Sequence, residues 1–449
     1  MYNIYLEENK AKYDLNELVK MFLKPSEFQL VDEDQKETAL IRMEGFEDKN
    51  EAKRYLFDRL SQLTGQYPDW GTLTGVRPAK LCNEYFRKGH DTEQVKKILK
   101  DTYYLSDEKI KLLIDLAQLQ QRILKDCDPN AVGIYAGIPF CPTRCVYCSF
   151  TSNQVKYDKI PPYLTALHKE IDFVGQHLKD IGRHAESIYI GGGTPTTLNA
   201  DDLGQLIAKM KSAFDMSGVR EFTVEAGRPD TITEDKLRVI KDSGVGRISI
   251  NPQSMKQRTL ELIGRSHTPG EIVDAFKKAK EVEIPIINAD LITGLPEEQP
   301  EDFRETLERI IELDPENITV HTLAVKRASR LIEQDADYNY RQGEVVREML
   351  AIAKEKLTAC GYEPYYMYRQ KHMSGNFENI GWSKPGTESI YNIRIMEEDQ
   401  TIVAMGAGGI SKMYYPETNR LERVPNVSNY EIYIDRIDEM IERKKIGIK

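Results

Sequence analysis

Three cysteines fall within eight residues of one another, as C-x3-C-x2-C at Cys141, Cys145 and Cys148. Thiols this close and this unevenly spaced do not make a disulfide framework; they read as metal ligands. Structural zinc takes four protein ligands, arranged as Cys or His pairs, and no second pair lies nearby. A [4Fe–4S] cluster also takes four thiolates as a rule. A run that offers three leaves one iron open, able to bind a small bidentate ligand and pass it an electron. The other cysteines, Cys82, Cys127 and Cys360, are scattered and read as reduced thiols of the core.

A second set of residues could hold that ligand. The stretch YIGGGTPTTL brings Gly192, Gly193 and Thr194 together. Glycines let a ligand approach the backbone, and exposed N–H groups there would bind its carboxylate or the partners of its amino end. The pattern is not the GxGxxG of a dinucleotide site. Farther along come Glu225, Gln253, Arg265 and Asp290. Arg265 suits a carboxylate, and Asp290 and Glu225 suit hydroxyl or amino donors. Lys326, Arg327 and Arg330 form a short basic run in a chain of net charge −10. Lys384, Arg394 and Lys412 are further candidate cations, and His321 reads as a core residue or a proton relay.

Six short β-branched runs alternate with amphipathic helical stretches from about residue 130. The runs are VGIYAGIP, ESIYIGG, EFTVEAG, RISIN, PIINADLI and NITVHTL. Strand–helix units in series predict a parallel α/β sheet or partial barrel. Right-handed crossovers then place every strand's C-terminal end on one rim, where these residues would meet. The cysteine run follows the first strand and the glycines end the second. Residues 1–128 read as a separate α+β domain, 129–330 as the barrel, and 331–449 as an α+β cap with a helical tail. In the first, KETALIRM reads as a strand, and GTLTGVRPAKL as a loop whose Arg77 and Lys80 could meet an anion. In the last, ESIYNIRIM and QTIVAMGAG read as strands.

Composition narrows the class. With 449 residues, 40% hydrophobic and 30% charged, the chain is neither disordered nor fibrous. Its 72 acidic against 62 basic residues argue against a nucleic-acid partner. No apolar run reaches the roughly 20 residues of a membrane span. The N-terminus lacks the basic and apolar segments of a signal peptide, so a cytoplasmic location is expected.

Cysteines spaced as C-x3-C-x2-C after the first of six strands resemble the radical S-adenosylmethionine (SAM) superfamily. The resemblance implies a partial (β/α)6 barrel, a [4Fe–4S] cluster, and SAM chelated to the open iron and cleaved by one electron. Residues 130–415 resemble the oxygen-independent coproporphyrinogen III oxidase/dehydrogenase family, and LTGVRPAKL and HTLAVKRAS resemble its HemZ-like subgroup. By that resemblance Tyr135, Tyr147, Gly192, Gly193, Thr194, Glu225, Gln253, Arg265 and Asp290 would contact SAM. It also implies coproporphyrinogen III or a related tetrapyrrole as substrate, oxidatively decarboxylated in heme biosynthesis, and a separate electron donor. Lys326, Arg327 and Arg330 would then pair substrate propionates. Gly137 and Phe150 stand where the oxidases carry histidine and a fourth cysteine; Phe150 resembles a related branch of heme-binding chaperones.

Overall fold

The structure is a computed structural model and describes residues 1–125, 128–148, 152–323, 343–369 and 377–449. Lys326, Arg327, Arg330, Phe150 and Cys127 lie outside the described residues. The chain forms two compact units. One comprises Met1–Arg122 with Ala324–Arg347 and Met367–Asn379; the other comprises Ile123–Leu323, Glu348–Tyr366 and Ile380–Lys449. The stretch expected as a C-terminal cap is thus divided between the two.

In the first unit, β1 (Tyr2–Leu6) lies between β2 (Phe28–Val31) and β3 (Ile41–Met43), all parallel. Ile4, Leu6, Leu18, Leu56 and Leu60 form its core. The expected strand in KETALIRM is shorter than its pattern, because Glu33–Thr38 winds into a 3-10 helix first. The helix Lys49–Thr64 starts where the Asp48 side chain accepts from the Glu51 N–H and stops at Gly65, φ 70°. The loop holding Arg77 is tied down: Arg369 donates to the Leu73 carbonyl at 2.5 Å and, from its backbone, to that of Val76 at 2.7 Å.

The second unit is built on six parallel strands. They are β4 (Ala131–Ile138), β5 (His184–Gly192), β6 (Glu221–Gly227), β7 (Arg247–Gln253), β8 (Ile286–Thr293) and β9 (Asn317–Thr322). Each pairs with the next, and helices such as Ile160–Asp180 and Pro269–Glu281 cross between them. The sheet continues past both sides. Beyond β9 come β10 (Glu363–Arg369) and β11 (Glu378–Ser383), and beyond β4 come β12 (Ile402–Met405), β13 (Ile410–Tyr415) and β14 (Arg420–Pro425). The order β10-β11-β9-β8-β7-β6-β5-β4-β12-β13-β14 does not close, so this is the expected partial barrel.

ESIYNIRIM departs from expectation: Ile390–Glu397 is a helix. Its β-branched residues suggest a strand, but the Ser389 side chain caps the Asn392 N–H at 3.2 Å. Buried Glu221 then takes the Ser389 hydroxyl at 2.8 Å and the Ile390 N–H at 2.6 Å. The other cap cations are paired rather than free for a substrate. Lys384 reaches Asp314 at 2.6 Å, Arg394 reaches Glu186 at 3.1 Å and Asp399 at 3.3 Å, and Lys412 reaches Glu398 at 3.0 Å.

Candidate active site

Register decides which side chains meet inside the barrel. Tyr135 pairs with Tyr189, Tyr189 with Thr223, Glu225 with Ser249, Ser249 with Asn288, and Asp290 with Thr319. Counting by twos along each strand puts Tyr135, Tyr189, Glu225, Asn251, Asp290 and His321 on one face. Each is half-buried in a strand otherwise nearly all buried. The opposite face carries Ile134, Ile188, Val224, Ile248, Ile287 and Val320, all buried as a sheet under helices requires. The inner face is therefore aromatic and polar.

Tyrosines fill one side of that ring. Tyr189 stacks on Tyr391, from the capped helix, with centroids 4.4 Å apart. Tyr135 lies beside both, at 6.2 and 6.4 Å. The Tyr189 hydroxyl donates to Glu225 Oε1 at 2.6 Å. Burial pushes the Glu225 carboxyl up to about 7; Asp290 adds to this, while the Tyr189 hydroxyl and the Gly192 N–H offset part of it. On the other side, Asp290 accepts from Asn288 at 2.7 Å and lies 3.9 Å from His321 Nε2.

The three cysteines sit on the loop after β4. The Cys141 N–H donates to the Asn153 carbonyl at 3.1 Å, and its thiol lies 3.4 Å from the Thr194 hydroxyl. Burial pushes the Cys141 thiol up; Thr194 and Arg228 work against this, while Cys148 and Cys145 add to it. Crowded thiols of this kind favour a bound cation that takes up their charge. Among the described residues no three His, Cys, Asp or Glu converge on a point that would hold a single ion.

The glycine loop packs directly against this segment. A Cβ on Gly193 would stand 2.5 Å from the Phe140 carbonyl and 3.0 Å from the Cys141 sulfur. Its N–H groups are not open to a ligand, contrary to the sequence expectation. Gly193 donates to the Ile138 carbonyl at 2.7 Å and Thr194 to that of Phe140 at 2.8 Å, while the Gly192 N–H faces Glu225.

Arg265 and Gln253 carry the clearest sign of a missing partner. Arg265 is buried; it donates to the Asn251 carbonyl at 2.6 Å and to the Tyr147 hydroxyl at 3.1 Å, and its Nε has no partner. Gln253 is buried too, with its Oε1 unpartnered. Its backbone is left-handed, φ 68°, where the β7–β8 register shifts. Bulges of this kind re-aim side chains beside active sites. A buried orphan donor and a buried orphan acceptor fit an amino-acid ligand such as the methionyl part of SAM.

The structure thus brings Tyr135, Glu225 and Asp290 onto one inner face. It places Cys141, Gly192, Gly193 and Thr194 together at its rim, and joins Tyr147 to Arg265. Sequence reasoning missed Tyr189, Asn251 and Tyr391. The first two were legible as the inner-face positions of predicted strands; Tyr391 was hidden by the strand reading of its helix. Arg228 was missed as well, with only its place after a strand end to mark it.

Comparison with known proteins agrees with this fold. The model of the radical SAM superfamily matches residues 135–310. The chain is 40% identical over 407 residues to the oxygen-independent coproporphyrinogen-III oxidase-like protein HemZ of Bacillus subtilis, covering 89% of this chain and 81% of that one. It is 29% identical to the heme chaperone HemW of the same organism, covering 68% of this chain and 76% of that one. Among solved structures it resembles coproporphyrinogen III oxidase (HemN) from Escherichia coli, a radical SAM enzyme. There the TM-score is 0.56 at 24% identity, with 72% of this chain and 73% of that one covered. The chain belongs to the radical SAM superfamily, in the family of oxygen-independent coproporphyrinogen III oxidase-like proteins, and its cofactors are a [4Fe–4S] cluster and SAM.

Proposed function

We propose that the chain is an oxygen-independent coproporphyrinogen III dehydrogenase, converting two propionates to vinyl groups and giving protoporphyrinogen IX. The observation that carries this reading is its 40% identity, over most of its length, to an oxygen-independent coproporphyrinogen-III oxidase-like protein. When bound, cluster and SAM supply a one-electron cleavage whose product removes a hydrogen atom from carbon. Each propionate then gives up that hydrogen atom, one electron to an acceptor, and CO2. Cys141, Cys145 and Cys148 hold the cluster; Arg265 pairs the SAM carboxylate, and Gln253 and the carbonyls about Gly192 and Gly193 take its amino group. Glu225 and Asp290 accept from its hydroxyls, and Tyr135 and Tyr147 wall the pocket. A low-potential electron donor completes the system, and Lys326, Arg327 and Arg330 pair the substrate's carboxylates.

A second reading, heme binding and transfer, is favoured by the relatives named as heme chaperones. Anaerobic incubation of the reconstituted protein with SAM, a reductant and coproporphyrinogen III separates the two. Loss of two formic acid equivalents from the substrate, CO2 and two hydrogens from each propionate, supports the dehydrogenase. Stoichiometric heme binding with no turnover supports the chaperone and contradicts the first reading.

A further inference from the structure

Among the described residues 139–148, the loop that carries the thiols has almost no regular structure, so its shape depends on what grips it. Midway between Cys141 and Cys145, Thr143 is held from two sides. Its hydroxyl donates to the Gly264 carbonyl at 3.3 Å and accepts from the Arg228 guanidinium, which also reaches the Thr143 carbonyl at 3.4 Å. Arg228 is only 3% exposed. It forks onto Asp230, Nε to Oδ1 at 3.0 Å and Nη2 to Oδ2 at 2.9 Å. Nη2 also donates to the Ser266 hydroxyl at 2.9 Å, which in turn donates to Asp230 at 3.0 Å.

One guanidinium therefore ties together the loops after β4 and β6 and the turn after the helix Gln257–Leu262, where Ser266 follows Arg265. A planar fork with five donors can do this; an ammonium cannot. The arrangement also has an electrostatic side. The pair has little net field while both partners are charged; removing the partly exposed Asp230 leaves the buried Arg228 charge uncompensated where screening is weak, and removing Arg228 leaves a carboxylate that solvent screens in part. Either charge would sit beside a cluster that gains an electron in every turnover.

We infer that the Arg228–Asp230 pair is a positioning device for the cluster loop, and that its balance of charge sets the cluster's reduction potential. The inference rests on Cys141, Cys145 and Cys148 holding the cluster. Arg228 and Asp230 are positioning residues and touch neither substrate nor SAM in this account.

The test compares the wild type with Arg228→Met, Asp230→Asn, the double variant and Arg228→Lys, each reconstituted anaerobically. Iron and sulfide retained after desalting report the grip, and a redox titration reports the potential. Arg228→Met and the double variant should lose iron several-fold faster than the wild type. The potential should move more negative in Arg228→Met and more positive in Asp230→Asn, and return near the wild-type value in the double variant. Arg228→Lys keeps the charge without the fork, so it should hold the potential and lose the iron. In cluster-free protein, hydrogen exchange should quicken over residues 141–148 in Arg228→Met and stay unchanged over β5 to β9. Shifts of the same sign in both single variants, or wild-type iron retention in Arg228→Met, would overturn the inference. A wild-type chain that takes up no cluster would overturn the site beneath it.

Discussion

Glu225 shows how one residue's setting becomes a measurable property. Its carboxyl stands at about 7 in the folded chain against 4.5 as its ordinary value, with burial as the main cause. The folded state therefore binds this proton more tightly than the unfolded state does. The resulting stabilisation is fully present below about 4.5 and is lost as pH rises to about 7. Urea midpoints of cluster-free protein should fall across that window in the wild type, and the fall should be smaller in Glu225→Gln; equal slopes would contradict it. Gly193 makes a steric case. Gly193→Ala puts a methyl group 2.5 Å from the Phe140 carbonyl and must displace backbone, so iron content after reconstitution should drop several-fold. Arg265→Ala and Asp290→Ala should each weaken SAM binding by about 2–5 kcal/mol, the usual cost of removing one partner from a buried charged contact. Calorimetric titration with SAM reads the change directly.

At the scale of elements, the barrel strands were legible and the C-terminal region in part: β12 and the tail helices were expected, the helix Ile390–Glu397 was not. The barrel strands announce themselves because helices cover their outer face, which makes β-branched runs such as EFTVEAG and RISIN nearly continuous. Their rim loops follow from topology. Ile390–Glu397 was misread because its cap and its partner Glu221, 168 residues away in sequence, outweigh local propensity. The strand β11 was missed because its partner β9 lies far back in the chain, and the β13–β14 hairpin because β14, RLERVP, is a largely exposed strand with little apolar patterning. The tail helix Ile437–Gly447 shows what such long-range contacts do. Lys444, fully buried, donates to Asn426 at 2.9 Å and lies 3.7 Å from Glu170. Glu170 in turn takes the Gly406 N–H at 2.8 Å and the Tyr433 hydroxyl at 2.6 Å. Gly406 sits against Gly137, and Tyr430 packs edge-on to Phe140, the residue before Cys141. Lys444→Met leaves Glu170 a buried unpaired charge, and should cost ~3–5 kcal/mol of stability in chemical denaturation. An unchanged midpoint would show that the tail carries no such strain.

For the whole molecule, the difficulty is charge. A chain of net −10 has to bind a substrate with four carboxylates. Lys384, Arg394 and Lys412 are committed to acidic partners, so the proposed substrate contacts fall to Lys326, Arg327 and Arg330. Replacing all three by alanine should spare SAM cleavage and suppress decarboxylation. Each lost charge-assisted bond is worth roughly 1.5–3 kcal/mol, so two imply at least about a hundredfold loss of turnover. Near-normal turnover would remove these residues from the site. What the chain's sequence made plain at this scale was the order of its strands and the place of its thiols. What it hid were the buried Lys444–Glu170 pair and the grip of Arg228 on Thr143 and Ser266, because partners so far apart in the chain are chosen by folding rather than by spacing.

The central claim is that three thiolates at the barrel rim hold a cluster whose fourth iron is open to SAM. Its most direct test is electron paramagnetic resonance of the anaerobically reconstituted, dithionite-reduced protein, recorded with and without SAM. The account predicts about four irons per chain and a reduced-cluster signal that SAM shifts. Both should disappear in the Cys141, Cys145 and Cys148 triple alanine variant. A signal indifferent to SAM, full iron in the triple variant, or zinc as the native metal would contradict it.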